Sequence, residues 1–327
     1  GDKSNDAIRI NGSQLRARVV GEGGNLGFTQ LGRIEAAQAG VKLNTDAIDN
    51  SAGVDTSDHE VNIKILLDQV VRDGQFTTPA RDELLALMTD EVADLVLHDN
   101  YAQNVALGND RALAVQMLSV QKRFIRAMEA SGDLDRAIEF LPTDADMDQR
   151  MSTGHGLTSP ELAVLMAYAK ITLTTELTGS SLGSEPWFSS LVRGYFPGPI
   201  VDQFGDRLDS HPLRSQIITT VVSNDMINDG GSTFVFRATE ETGAGAVEIA
   251  RAYIVSRENL GIIPSLIAGS SLLVDYILTV AVSVTAGVAN LVSAFPGLTP
   301  WVLELSLAMV VLLTVVNLRG VKESGTS

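Results

Sequence analysis

Leu15, Ala17 and Val19 recur with period two after the turn Asn11-Gly12-Ser13, the pattern of a half-buried strand. From Thr29 to Ala39 the apolar period lengthens to that of a helix, with Gly40 as its C-cap. Val41 to Ile48 returns to a strand pattern, with Leu43 and Ala47 on one face. The order strand, helix, strand predicts part of a parallel α/β layer. Ser57-Asp58-His59-Glu60 has the form of a capping box. It predicts a helix that starts at Ser57, carries Val61, Ile65, Leu66 and Val70 on one stripe, and stops at Asp73-Gly74.

From Thr78 to about Ser256 the periodicity is helical almost throughout. Thr78 and Pro79 open one helix, whose stripe is Leu84, Leu85, Met88, Val92 and Leu95. Ala112 to Ala130 is a second. Ser159 and Pro160 cap a third, with Leu162, Leu165, Met166 and Ile171 as its apolar face. Asp202 to Leu208, Pro212 to Ile227 and Ala246 to Glu258 follow, separated by loops at Gly183 to Pro186 and Asn228 to Ser232.

The last seventy residues differ in kind. Pro264 to about Leu291 and Trp301 to Leu318 are apolar runs joined by Phe295-Pro296-Gly297. A run of about 20 apolar residues is long enough to span a bilayer, which predicts a two-helix transmembrane hairpin over 264–318. Arg251 and Arg257 before it, and Arg319 and Lys322 after it, put both ends on the cytoplasmic side of an inner membrane. Ser271, Asp275, Thr279, Ser283 and Gly287 recur every four residues as a small, polar stripe on the first run, which reads as a packing face.

Composition sharpens the division. Of 24 basic and 40 acidic residues, the segment from Arg257 onward holds only Arg257, Arg319 and Lys322 against Glu258, Asp275, Glu304 and Glu323. The net charge of −16 argues against a nucleic-acid partner, which needs a basic face. There is no cysteine, hence neither a disulfide nor a thiolate. The four histidines, at 59, 98, 155 and 211, do not pair at metal-ligand spacing, so no metal site is assigned. His59 reads as a structural hydrogen-bonder. A first residue of Gly1 in place of methionine suggests a piece of a longer chain.

Two short signatures stand out in Gly21 to Glu60. One is Glu22-Gly23-Gly24-Asn25; the other is Asn50-Ser51-Ala52-Gly53-Val54, with Ser57 three residues on. Together with Gly1 to Ala7 and Leu157-Thr158-Ser159-Pro160-Glu161-Leu162-Ala163-Val164-Leu165, they make residues 1 to about 257 resemble the large, NAD-dependent bacterial glutamate dehydrogenases. That resemblance implies an α/β fold over 1–75, the distal part of a Rossmann-type nucleotide domain. A mostly α-helical C-terminal domain would follow over 76–256, with the hairpin region at 257–327. It implies oxidative deamination of glutamate to 2-oxoglutarate and ammonia, NAD as cofactor, a cytoplasmic location for 1–256, and a homo-oligomer in the parent enzyme. Asn25 and Asn50 match positions beside the cofactor; Ser57 and Val54 match positions in the substrate pocket. Glu22 is expected to orient its loop. No catalytic residue is assigned, because the family's lysine and aspartate lie upstream and the chain has no Gly-x-Gly-x-x-Gly loop. The chain alone is therefore expected to be inactive.

Arg257 to Gly261, Leu273 to Ser283 and Asn317 to Gly325 resemble amino-acid permeases of the amino acid–polyamine–organocation transporters, over what would be their third and fourth spans. The two likenesses meet between Tyr253 and Gly261 with no polar or Gly/Pro-rich linker, which points to an accidental or artefactual join. The alternatives are a membrane-tethered, non-catalytic binding module and a permease fragment.

Overall fold

Val19 and Lys42 form one parallel β-bridge, held by Val20 N–H to the Lys42 carbonyl at 2.9 Å and Lys42 N–H to the Arg18 carbonyl at 3.0 Å. The computed structural model describes residues 9–263 together with 7, 266, 288, 292, 297 and 302. Among these there is no strand or sheet. The expected α/β, Rossmann-type layer is thus corrected to a helical fold. Two short extended pieces touch once, and no third strand lies beside them to extend the ladder. The second predicted strand is also cut short, because Thr45 N-caps a helical turn, α2 (Asp46–Asp49).

The helices are α1 (Gln30–Gln38), α2, α3 (Ser51–Arg72), α4 (Thr78–Leu87), α5 (Thr89–Ala112), α6 (Ala114–Ser131), α7 (Asp144–Ser152), α8 (Ser159–Thr178), α9 (Ser189–Tyr195), α10 (Gly198–Leu208), α11 (Arg214–Gly230), α12 (Phe234–Thr242) and α13 (Ala246–Leu260). They belong to the first of two compact units, 1–266; the second is 267–327.

Sequence explains many of the ends. Thr29 caps α1 by accepting from Gly32 N–H at 3.1 Å. Thr158, one residue before the expected cap, starts α8, and Glu161 reaches back to its N–H at 2.7 Å. Glu161 is buried and also takes two bonds from Arg150 at 2.8 Å each. α6 buries Leu118, Gln121, Phe124, Ile125 and Met128 on one stripe and ends at Gly132, whose φ of +83° favours a residue without Cβ. The main correction is to α3. It starts at Ser51, so Ser57 lies two turns inside the helix and is not its cap.

α8 is the central helix. Its first half is buried from Ser159 to Met166, and Ala169, Leu173 and Leu177 continue the buried face. A single apolar core runs from Ile48 through α3, α5, α6, α8 and α11 to Ile254 in α13, and a small satellite of Ala36, Val41 and Leu43 lies under α1. Tyr253 is fully buried in that core.

The hairpin predicted over 264–318 lies outside the described residues, apart from 266, 288, 292, 297 and 302. Among the described residues no helix is long and apolar enough to cross a membrane. The expected transmembrane helices therefore have no counterpart among the described residues, and the fold and inner-membrane placement are corrected to that extent. The long, apolar α8 carries Glu161, Lys170 and Glu176 and packs among other helices.

Candidate functional site

The loop from Gly21 to Phe28 is shaped by acidic side chains. Glu22 is buried and takes two bonds from the Arg33 guanidinium, at 2.6 and 3.0 Å, and one from Phe28 N–H at 3.0 Å. Arg33 also reaches Asp46 at 3.0 Å. Burial works against the Arg33 charge, but Glu22 and Asp46 outweigh it and hold its pKa above the ordinary value. From α2, Asp49 accepts from Glu22 N–H at 2.8 Å and Asp46 from Leu26 N–H at 2.9 Å. The second bond holds Leu26 in the left-handed region, at φ +62°. A Cβ at Gly21, Gly23 or Gly24 would meet nothing within 4 Å. The turn is therefore open on its glycine side.

This frame carries Asn25 to the start of α3, where Asn50 donates its side-chain amide to the Asn25 side-chain oxygen at 2.8 Å. The two sequence signatures are joined there. Asn50, Val54 and Ser57 stand at i, i+4 and i+7 and so share one face of α3. Val54 is 62% exposed, and Ser57 is exposed at the rim of a cavity of about 330 Å³. Gly53 leaves room for the Asn50 side chain as placed: a Cβ there would lie 2.8 Å from Asn50 Oδ1.

The cavity is acidic. Asp55, Asp58, Asp99 and Asp225 line it together with Ser57, Asn62, Tyr195, Gln216 and Asn224. Asp225 pairs with Arg257. Burial pushes the Asp55 carboxyl up to about 7, and Asp99 and Asp58 add to the rise. Burial also raises Asp99 and Asp225, opposed by His98 and Lys170 at the first and by Arg257 at the second. Lys170 of α8 donates to Gln103 at 2.8 Å; burial pushes its ammonium down to about 8 against the pull of Asp99, Asp225 and Asp55.

His59 is 2% exposed and stacks on Tyr195, with ring centroids 4.2 Å apart. Neither ring nitrogen has a hydrogen-bond partner, which is at odds with its reading as a structural hydrogen-bonder. Burial pushes its pKa down to about 4, so the ring is neutral. Its nitrogen and carboxylate oxygens of Asp55 and Asp99 lie within 4.8 Å of one another. Sequence reasoning did not find Asp55, Asp99, Lys170 or Asp225. Lys170, charged within the apolar pattern of α8, was the visible signal; the rest come together only through the packing of α3, α5, α8 and α11.

Comparison with known proteins bears on the whole of this region. The family "Bacterial NAD-glutamate dehydrogenase, catalytic domain" matches residues 1–110, and "Glutamate dehydrogenase, C-terminal" matches residues 154–269. The NAD-specific glutamate dehydrogenase of Halomonas elongata is 48% identical over 259 residues, 79% of this chain and 16% of that protein. The one from Pseudomonas aeruginosa is 46% identical over 258 residues, with the same shares. A different protein, the potassium transporter KimA of Bacillus subtilis, is 55% identical over 75 residues, 23% of this chain and 12% of that protein. The resemblance to amino-acid permeases has no specific counterpart among these matches. The chain spans about a sixth of the length of the dehydrogenases it matches, and within that span it carries sequence of their catalytic domain at 1–110 and of the glutamate dehydrogenase C-terminal domain at 154–269.

Proposed function

We propose that residues 1 to about 257 are a portion of an NAD-dependent glutamate dehydrogenase, contributing one wall of its cofactor and substrate site. The observation that carries this is the Asn50 to Asn25 bond. It brings two distant signatures to one open turn within the segment that matches the catalytic domain. The fit to NAD is that of a partial cradle: Gly21, Gly23 and Gly24 leave room for close approach, and the two amides offer both donors and acceptors. Asn25 and Asn50 would hold the nicotinamide end of the dinucleotide. Val54 and Ser57, on the same face of α3, would contact the glutamate side chain. NAD, when bound, supplies the hydride acceptor for oxidation of glutamate to 2-oxoglutarate. The residues of this chain bind and orient; the proton chemistry belongs to groups outside it, so the chain alone is inactive.

Homo-oligomeric assembly of the parent enzyme is part of the same reading. Leu97, Tyr101 and Val105 form an exposed apolar stripe along α5, which supports a covered face there. We further infer that the chain joins two parents, with the change within Tyr253 to Gly261. Arg257 pairs with Asp225, and Glu258 accepts from Ser190, so α13 is tied into the helical domain to that point. The 75-residue match to a transporter supports a separate origin for part of the chain.

The test is an assay of the full 327-residue chain for NADH formation with glutamate, beside a complete dehydrogenase of the same sequence in this region. The chain is expected to stay at blank. In the complete enzyme, Asn25→Ala and Asn50→Ala are expected to raise the KM for NAD. Turnover by the chain alone, or an unchanged KM in both variants, overturns the reading.

A further inference from the structure

The two unpartnered nitrogens of His59 call for a ligand. Its ring is almost wholly buried, is held flat against Tyr195, and makes no hydrogen bond through Nδ1 or Nε2. Buried polar atoms are nearly always paired, and the exceptions call for an explanation. One turn earlier on the same helix, Asp55 Oδ2 is also buried and without a partner. Asp55 Oδ1 stands 3.8 Å from His59 Nε2. That is too long for a hydrogen bond and close to the separation, about 3.4 Å, of two ligands sharing one tetrahedral cation. Asp99 of α5 closes the group, with the three donor atoms within 4.8 Å of one another.

We propose that Asp55, His59 and Asp99 bind one divalent transition-metal cation, of the Mn²⁺, Co²⁺ or Zn²⁺ class, between α3 and α5. One imidazole with two carboxylates is a donor set for these ions, whereas calcium and magnesium prefer oxygen alone. Asp58 adds a further negative charge to the cavity wall, which favours a cation. Asp225 is committed to Arg257, while the Lys170 ammonium, which donates to Gln103, also attracts Asp55 and Asp99 and is the charge a bound cation has to compete with. Asp55 and Asp99 are thus left without an arginine partner among the ion pairs of the described residues. Asp99 is exposed and supplies the entry path, while His59 forms the closed floor. Coordination positions left free would face the cavity that Ser57 borders.

The experiment uses the full, tag-free chain, stripped with EDTA and titrated with CoCl₂ by calorimetry and visible absorption. One Co²⁺ per chain is expected, with ligand-field bands, displaced by ZnCl₂. His59→Gln is expected to abolish the bands. Asp99→Asn, an exposed change that leaves the core intact, is expected to weaken binding at least about tenfold, since even outer partners of ligands matter that much. Two results overturn the proposal. One is the lack of saturable binding up to about 1 mM, the edge of measurable affinity here. The other is unchanged affinity in Asp99→Asn with a wild-type circular dichroism spectrum. Should His59→Gln fail to fold, the Asp99→Asn result decides alone.

Discussion

Asn50 and Asn25, 25 residues apart, are joined side chain to side chain by a 2.8 Å hydrogen bond. The bond sets the opening of the turn that precedes α1 against the start of α3. Gly53 makes room for it, since a Cβ would sit 2.8 Å from Asn50 Oδ1. Gly53→Ala is therefore expected to swing Asn50 away from Asn25. Amide hydrogen exchange over residues 21–28 should speed up, as it should in Asn50→Ala, while α8 stays protected. Protection of 21–28 equal to wild type in both variants would mean that the bond does not order the turn.

Glu22 and Arg33 are the other fastening of that turn. Both side chains are under 10% exposed, at 4% and 8%, so neither can fall back on water when its partner is lost. Breaking a buried pair by removing one member costs about 3–5 kcal/mol. Glu22→Gln keeps an acceptor for Phe28 N–H but leaves Arg33 short of a counter-charge, with Asp46 as the remaining partner. We expect about 2 kcal/mol for Glu22→Gln and more for Glu22→Ala, which loses the acceptor as well. Urea unfolding measures both. Equal midpoints for wild type and Glu22→Ala would contradict a framing role.

His211 gives a pH signature of known sign. Nδ1 accepts from Leu213 N–H at 3.1 Å, so Nε2 carries the proton and donates to the Asn62 carbonyl at 3.0 Å. The fold uses the neutral ring. Burial depresses the pKa below the ordinary 6.5, and the Asn62 carbonyl pulls the other way. With the folded value below the unfolded one, the group's contribution is complete above pH 6.5 and is lost as pH falls through the folded value. Stability should thus drop on going from about pH 7 to about pH 5, and drop less in His211→Gln, which has no proton to gain. Identical pH slopes for the two proteins would exclude a buried, neutral His211.

Helix positions were legible wherever one residue had one local role. Thr29, Gly40 and Asp73-Gly74 mark ends by side-chain capping or left-handed backbone, which needs no knowledge of the fold. Ser57 misled because a Ser-x-x-Glu spelling also fits inside a helix, and Asn50 had already begun this one. The alternation at Leu15 to Val19 misled because period two becomes a strand only when other strands pair with it, and here Lys42 alone answers. At the site, the turn motifs were readable as motifs, but their meeting through Asn25 and Asn50 was not. Asp55 and His59 are neighbours on one helix face; the approach of Asp99 and Lys170 depends on how α5 and α8 pack.

Ser57 offers a clean separation of structure from function. As a helix cap it would cost about 1 kcal/mol to remove. In the interior of α3, where the structure puts it, alanine is the better helix former by a few tenths of a kcal/mol. Its hydroxyl lies exposed at the cavity rim, so no core packing is lost. Ser57→Ala should leave thermal stability of the chain unchanged or slightly raised. In a complete dehydrogenase that carries this helix, the same change should raise the KM for glutamate several-fold, because a donor to the substrate carboxylate is gone, while the KM for NAD stays put. A stability loss near 1 kcal/mol would restore the cap. An unchanged KM for glutamate would remove Ser57 from the substrate pocket and leave Val54 as the member of that helix face with a claim to it.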